Sequence, residues 1–297
     1  MTFTLATTLD EALQALDSGA TPIAGGTDLV VRSRTGNVPL PDDLVAIDRI
    51  PELGTVQTDG GGLRIGATVS HATVASHPDI LRRFASLADA STLVGSPATR
   101  HVGTIGGNVM NASPAMDTGA PLVVLGARVV LASTSGTREV AVGDLWSGPG
   151  TTTAGSDELC TAVLVPLQPA RSASAYVRLE YRRAMEIAVV GAAARVELDD
   201  DGTVASLDVA LTAVAPTILS VTGISVSGSP VDDAAASAQQ AAMAQAVPIS
   251  DLRASDEYRR HMVGIMAKRA VEAAATRAAG TEVSVPVNRA HGIGAPA

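Results

Sequence analysis

Glycines at 103, 106 and 107, together with Thr104, Asn108 and Asp117, crowd into one short stretch, GTIGGNVMNASPAMD. Glycine removes side chains where a backbone must pass close to a bulky, negatively charged group, and it reaches backbone conformations closed to other residues. Successive amides in such a turn form a concavity that holds an anion. Thr104 and Asn108 add short polar groups, and Asp117 adds an acceptor suited to the hydroxyls of a sugar-like chain. A second turn, Ala24-Gly25-Gly26-Thr27-Asp28-Leu29, comes much earlier. Each turn follows an apolar run, so the pair reads as two loops closing on one phosphate-bearing ligand. Arg32 and Arg34, just beyond the first turn, are available to an anion.

Other chemistry is sparse. The five histidines, at 71, 77, 101, 261 and 291, show no metal-ligand spacing. His71 and His101 lie near the loops and read as structural residues. No Ser–His–Asp or Cys–His arrangement and no acid–base carboxylate pair stands out, so no catalytic residue and no metal ligand is assigned. The lone cysteine, Cys160, excludes a disulfide within the chain and any four-cysteine cluster. It reads as a small buried apolar residue.

The 297 residues allow two domains or one large one. At 46% apolar the chain can bury a sizeable core, and at 2% aromatic it must build that core from Ala, Val, Leu and Ile. A net charge of −9 argues against nucleic acid or an anionic membrane as partner. An anionic ligand must then be held by backbone amides and a few arginines, against the overall field. The first residues lack a basic segment followed by an apolar one, and no run approaches the roughly 18 apolar residues of a membrane span. The expectation is a cytoplasmic protein.

The elements that position these residues can be read in order. Thr8 to Glu11 form a capping box opening an amphipathic helix with Leu9, Leu13 and Leu16 on one face, ended by Gly19. Thr21–Ala24 is a short strand running into the first turn, the segment from Asp28 continues as a helix or loop, and Leu44–Ile47 is another strand. Asp59 to Gly62 turns a hairpin between 54–58 and 63–67. Pro78-Asp79 starts a helix carrying Ile80, Phe84, Leu87, Ala88 and Val94. Residues 120–125 form a short helix, 128–132 and 138–142 a hairpin, and Leu159–Pro166 a strand. A domain boundary falls at Pro169–Ser174. Beyond it, strands 187–198 and 203–214 are joined by a turn at Asp199 to Gly202, and 234–246 is an Ala-rich helix. A long helix runs from Ser255-Asp256-Glu257 to about Arg277, with Tyr258, Met262, Ile265, Met266 and Val271 on its apolar stripe. The tail after Gly280 is extended or disordered.

AGGTDL at 24–29, TIGGN at 104–108, SPAMD at 113–117, DEL at 157–159 and SDLRASDEYRR at 250–260 occur in this order. This resembles the FAD-binding medium subunit of the molybdenum hydroxylases, which include xanthine, carbon monoxide and nicotine dehydrogenases. The match runs from about residue 3 to residue 278. The resemblance implies an α+β architecture. A two-subdomain FAD-binding fold of the vanillyl-alcohol-oxidase type would cover 1–168, divided into about 1–55 and 56–168. A small C-terminal domain, an antiparallel sheet plus helices, would cover 173–280, with a tail over 281–297. It also implies the site. Ala24, Gly25, Gly26, Thr27 and Asp28, flanked by Pro22, Ile23 and Leu29, would form the first phosphate loop. Thr104, Ile105, Gly106, Gly107 and Asn108 would form the second, and Asp117 would bind a hydroxyl of the flavin's polar chain. Cys160 would lie against the flavin, Arg178 near the ring or its carbonyls, and Ile187 over one ring face.

The same resemblance implies a large partner with the molybdopterin cofactor, a small partner with two two-iron two-sulfur clusters, and assembly as a dimer of heterotrimers. Electrons would pass from the clusters through FAD to NAD, oxygen, a quinone or a carrier protein, and the chain alone would not hydroxylate. The iron–sulfur insertion found in some members is absent, and that variant is excluded. The alternative is a stand-alone flavin oxidase or dehydrogenase, which would need a large substrate-capping domain and a base beside the flavin. The C-terminal part, with few candidate bases, is thin for that.

Overall fold

Thr8 opens the first helix as its sequence requires. Its hydroxyl accepts the Glu11 amide at 3.3 Å, while a Glu11 carboxylate oxygen accepts the Thr8 amide at 3.3 Å, the reciprocal arrangement of a capping box. The structure is a computed structural model and describes residues 2–36, 38–60, 62–182 and 184–287. Strand β1 (Thr2–Leu5), helix α1 (Leu9–Asp17), β2 (Thr21–Ile23), α2 (Leu29–Arg34) and β3 (Asp43–Ala46) form a small parallel layer with strand order β1-β3-β2. Leu44, Val45 and Ala46 of the central strand are all buried, as a parallel strand covered on both faces must be.

The second layer begins with the hairpin β4 (Val56–Asp59) and β5 (Gly62–Gly66). Six short helices follow: α3 (His71–Ser76), α4 (Pro78–Arg83), α5 (Ala85–Leu93), α6 (Pro97–Val102), α7 (Ile105–Asn111) and α8 (Gly119–Val124). Strands β6 (Arg128–Ser133) and β7 (Gly136–Ala141), helix α9 (Val142–Leu145), the ribbon β8 (Trp146–Gly148) and β9 (Thr151–Thr152), and β10 (Leu159–Pro166) complete it. The main sheet is antiparallel, in order β4-β5-β10-β6-β7. Val163 of central β10 stands opposite Ile65 and Val129, and these join Phe84, Leu87, Ile105 and Leu122 in one core.

The last layer is the antiparallel sheet β11 (Ser172–Leu179), β12 (Val190–Leu198), β13 (Val204–Thr212) and β14 (Leu219–Val221) with helices α10 (Val231–Gln245) and α11 (Asp256–Ala278). Val190–Ala194 of β12 and Val209–Leu211 of β13 are buried at every position because both faces are covered there. Ala192, Ala194 and Leu211 pack with Met266 and Val271 of α11, whereas Tyr176, Ala193 and Ala210 join the core of the second layer. Small residues at these positions let sheet and helix approach closely, which is how a chain poor in aromatics fills its interior.

Several elements differ from expectation. The helix expected from Pro78 to Val94 is broken at Phe84, whose backbone leaves the helical region (φ −133°, ψ 44°) as its side chain enters the core. Residues 187–189 precede β12, and of them the Val189 amide donates to the Leu179 carbonyl at 3.0 Å. Tyr258 is exposed, and the buried face of α11 starts one residue later, at Arg259. The glycine stretch at 105–107 is the first turn of α7, capped by the Thr104 hydroxyl on the Gly107 amide at 3.1 Å. Of the expected turn at Asp59 to Gly62, Gly61 lies outside the described residues, as does most of the expected tail.

The last layer is fastened to the second by a buried ion pair. Asp89 on α5, fully inaccessible, meets both guanidinium nitrogens of Arg277 on α11 at 2.7 and 3.0 Å and accepts the Tyr176 amide at 3.0 Å. Breaking such a pair from one side leaves an uncompensated buried charge and costs about 3–5 kcal/mol. Arg277→Ala should therefore lower the unfolding free energy read from urea denaturation by an amount in that range, while Asp89→Ala combined with Arg277→Ala should cost less than the sum of the single changes.

Candidate functional site

Ile23 is the last residue of β2, held in parallel register against Ala46, and the chain leaves the strand edge into Ala24-Gly25-Gly26-Thr27-Asp28. Gly25 lies so close to the carbonyl of Val102 that any side chain there would overlap it. The first loop is thereby pressed against the residues leading into α7. Gly106 answers a second close approach, since a Cβ there would stand 2.6 Å from the Ala67 methyl. Gly107 differs: only the Thr104 hydroxyl, at 2.9 Å, would meet its Cβ.

Between the two loops is a cavity of about 660 Å³, a volume typical of small-molecule and cofactor sites. All eight residues from Pro22 to Leu29 line it, and so do Thr104, Gly106, Gly107, Asn108, Asp117, Cys160 and Ile187. Ile105 does not; its side chain is fully buried in the core behind the loop. Arg178 does not line it either, and stands behind Asp117.

The two loops are not equivalent. Among the described residues, the amides of Gly25, Gly26, Thr27, Asp28 and Leu29 donate to no protein acceptor, and Asp28 makes no side-chain cap to α2. In the second loop the amides of Ile105 to Asn108 are spent: Ile105 on Val69, Gly106 on Ala67, Gly107 on the Thr104 hydroxyl and Asn108 on the Thr104 carbonyl, at 2.9 to 3.1 Å, while that of Thr104 donates to no protein acceptor among the described residues. The first loop therefore offers most of the open donors, and the second supplies mainly wall. The Arg32 guanidinium, also in the lining, donates to Asn111 at 2.5 Å and ties α2 to α7.

Asp117 is buried and held by two donors. One carboxylate oxygen accepts the Tyr176 hydroxyl at 2.8 Å and the other accepts Arg178 Nη1 at 2.7 Å. Arg178 Nε donates to Glu180 at 2.6 Å, and Nη1 lies 3.4 Å from the carbonyl of Glu186 in the cavity wall. Burial pushes the Asp117 carboxyl up, against the pull of Arg178. Burial also works against the Arg178 charge, but Asp117, Tyr176 and Glu180 together outweigh it and hold the guanidinium protonated. An ionised carboxylate has about four lone-pair sites, so each Asp117 oxygen keeps one for a ligand hydroxyl. Burial pushes the Cys160 thiol up to about 12. It is neutral, and it serves as an apolar wall residue. Met185 and Ile187, both exposed, form an apolar rim, and the Met185 amide donates to Gly95 at 3.0 Å.

Comparison with known families gives residues 1–168 as the FAD binding domain in molybdopterin dehydrogenase and residues 174–274 as the CO dehydrogenase flavoprotein C-terminal domain. The chain belongs to the FAD-binding subunits of the molybdopterin dehydrogenases. It is 35% identical to the carbon monoxide dehydrogenase medium chain of Afipia carboxidovorans over 90% of this chain and 92% of that one. Identity to the nicotinate dehydrogenase FAD-subunit of Eubacterium barkeri is 36%, over 61% of this chain and 62% of the relative. The solved carbon monoxide dehydrogenase of Hydrogenophaga pseudoflava, in a form lacking the Mo-pyranopterin moiety, superposes with a TM-score of 0.88 at 31% identity. That match covers 93% of this chain and 98% of the other. The two-part FAD-binding fold with a C-terminal α+β domain is thus the fold of this FAD-binding subunit.

Sequence reasoning set His71 aside as structural, yet it lines the cavity of this FAD-binding subunit. Its imidazole is 2% exposed and Nδ1 has no partner among the described residues. Nothing in the spacing around His71 marks it, because α3 and the second loop meet only in the fold. Burial first, and Arg100 second, push the imidazole down from 6.5 to about 4. Between those values the unfolded chain binds a proton that the folded one does not. Stability contributed by neutral His71 is thus complete above pH 6.5 and lost as pH falls towards 4. The loss is on the order of 3 kcal/mol at 1.36 kcal/mol per unit. The melting temperature should fall across this window, and more steeply for the wild type than for His71→Gln.

Proposed function

We propose that this chain is the FAD-containing electron-transfer subunit of a heterotrimeric molybdenum hydroxylase. It would receive electrons from the iron–sulfur clusters of a small subunit and deliver them to an external acceptor: NAD, oxygen, a quinone or a carrier protein. Substrate hydroxylation would belong to a large molybdopterin subunit, so that this chain alone would lack that activity. The finer parts of the reading are two two-iron two-sulfur clusters in the small subunit, a dimer of heterotrimers, and a cytoplasmic location.

The observation that carries it is the run of unbonded amides from Gly25 to Leu29 along the wall of a cofactor-sized cavity. Backbone donors left open along a cavity wall are available to an incoming acceptor, and a pyrophosphate supplies several. The other parts of the wall suit the remainder of FAD. Asp117 has lone pairs left for a hydroxyl of the ribityl or ribose, and Ile23, Leu159, Cys160 and Ile187 offer apolar surface to a ring. Bound FAD supplies the redox chemistry, while the protein binds, orients and tunes it. In this reading Arg178 is a positioning residue: it fixes Asp117 and steadies Glu186. Ile105 anchors the second loop in the core.

An exposed apolar surface supports the partner reading. Tyr181, Met185, Ile187, Ile249 and Leu252 are all exposed, and the Tyr181 hydroxyl donates to the Arg253 carbonyl, joining the segments that carry them. Contiguous apolar surface of this kind marks contact sites on soluble proteins, and this one adjoins the cavity rim.

The decisive test is native mass and cofactor content of the protein purified from its own source. A large and a small partner with FAD, iron and molybdenum in fixed ratio are expected; the chain found alone and yellow would favour a self-sufficient flavoenzyme. Gly107→Val tests the site itself. Its branched side chain would enter the cavity without striking the core, unlike a substitution at Gly106, so flavin should be lost while the far-UV circular dichroism stays unchanged. Undiminished flavin in that variant would remove the two-loop site from consideration.

A further inference from the structure

We propose that His71 is a ligand of the bound cofactor, donating its Nε2–H to a pyrophosphate oxygen where the two loops meet. The proposal rests on the FAD reading above and adds a donor that neither glycine loop contains.

Placement comes first. His71 opens α3, and its amide donates to the carbonyl of Gly103 at 3.0 Å, while Ser70 bridges to Thr104. The residue is thus pinned to the second loop. A Cβ built on Gly103 would lie 3.4 Å from the Thr27 hydroxyl and 3.5 Å from His71 Cδ2. Cδ2 adjoins Nε2 in the ring, so this edge of the imidazole lies beside the junction of the loops, close to the open amides of the first. The opposite nitrogen, Nδ1, is sealed from solvent with no partner among the described residues.

Proton placement follows. A neutral imidazole carries one proton, on either nitrogen. On Nδ1 it would be a buried donor without an acceptor, the rarer and costlier defect in folded proteins. On Nε2 it leaves Nδ1 as an unused acceptor and directs the N–H to the cavity side. The cavity has few alternatives for an anion. Among the described residues Arg32 is the one guanidinium of the lining and is engaged with Asn111, and in the second loop the amides of Ile105 to Asn108 are spent. A hydrogen bond from Nε2–H to a phosphate oxygen is charge-assisted and therefore among the strong ones.

The full-length chain stripped of flavin, and its His71→Gln, His71→Asn and His71→Leu variants, are titrated with FAD. Gln extends an amide nitrogen to about the place of Nε2, whereas Asn reaches only that of Nδ1. Weakening on the order of 10- to 100-fold is expected for Asn and Leu, with Gln close to wild type. Leu should not lower the melting temperature of the flavin-free chain, because it removes a buried nitrogen that has no partner. Nitrogen NMR of the wild type should show the Nε2–H tautomer, its resonance moving on addition of ADP, which carries the pyrophosphate, and not of riboflavin, which lacks it. Equal FAD affinity in all variants, an Nδ1–H tautomer, or a response to riboflavin alone would each overturn the proposal. Wild-type chain that binds no FAD would instead overturn the flavin reading on which it stands.

Discussion

The cavity of this protein exists because two stretches of backbone touch. Gly25 lies against the carbonyl of Val102 with no space for a side chain, and Gly106 lies against Ala67 in the same way. The first contact brings the end of a parallel layer against the helices of an antiparallel one, leaving about 660 Å³ between them, and the second seats α7 on the residue that follows β5. The division of labour follows from that contact. The second loop spends its amides from Ile105 to Asn108 on Val69 and Ala67, just beyond β5, and on Thr104; the first keeps its amides free and is the main donor surface.

The C-terminal layer acts as a brace for this arrangement. Tyr176 and Arg178, neighbours on one face of β11, reach across to Asp117 and fix both of its oxygens. The same strand is tied to α5 through the Tyr176 amide and Asp89, and α11 closes the joint through Arg277. A carboxylate buried in a cavity wall is costly unless paired, and the pairing here comes from a layer far along the chain. Asp117 is thereby presented in one fixed orientation, which a residue offering its spare lone pairs to a ligand needs.

Charge explains why backbone and neutral donors dominate the site. The protein carries a net charge of −9, and among the described residues carboxylates of Asp28, Asp117, Glu158 and Glu186 line the cavity beside the one guanidinium of Arg32. Glu158 is neutralised by Arg138 at 2.6 Å and Asp117 by Arg178. An anionic cofactor in such surroundings is held by fixed dipoles, whose orientation costs nothing at the moment of binding. Specificity for its length and shape then comes from the spacing of donors and wall.

Much of this was legible in the residues. The capping box at Thr8, the hairpin at Asp199 to Gly202, and the capped start of α11 at Ser255 are local signals, set by contacts between residues a few positions apart, and they appear where the sequence puts them. The glycine stretches announced the cavity because glycine at a close approach is a chemical necessity visible without a fold. The sequence could not tell which glycines serve the ligand and which serve packing. Gly25 and Gly106 face backbone and a methyl from distant segments, whereas a Cβ on Gly107 would meet only the Thr104 hydroxyl three residues before it. Nor could it show that Arg178 backs Asp117, that Asp89 receives Arg277, or that His71 enters the cavity wall with one nitrogen unpaired. Local periodicity and turn chemistry determined which elements form and where a phosphate-bearing ligand would be met. Which amides remain open, which charges are paired and which side chains face the cavity were decided by tertiary packing, because each depends on partners brought together from tens to nearly two hundred residues away.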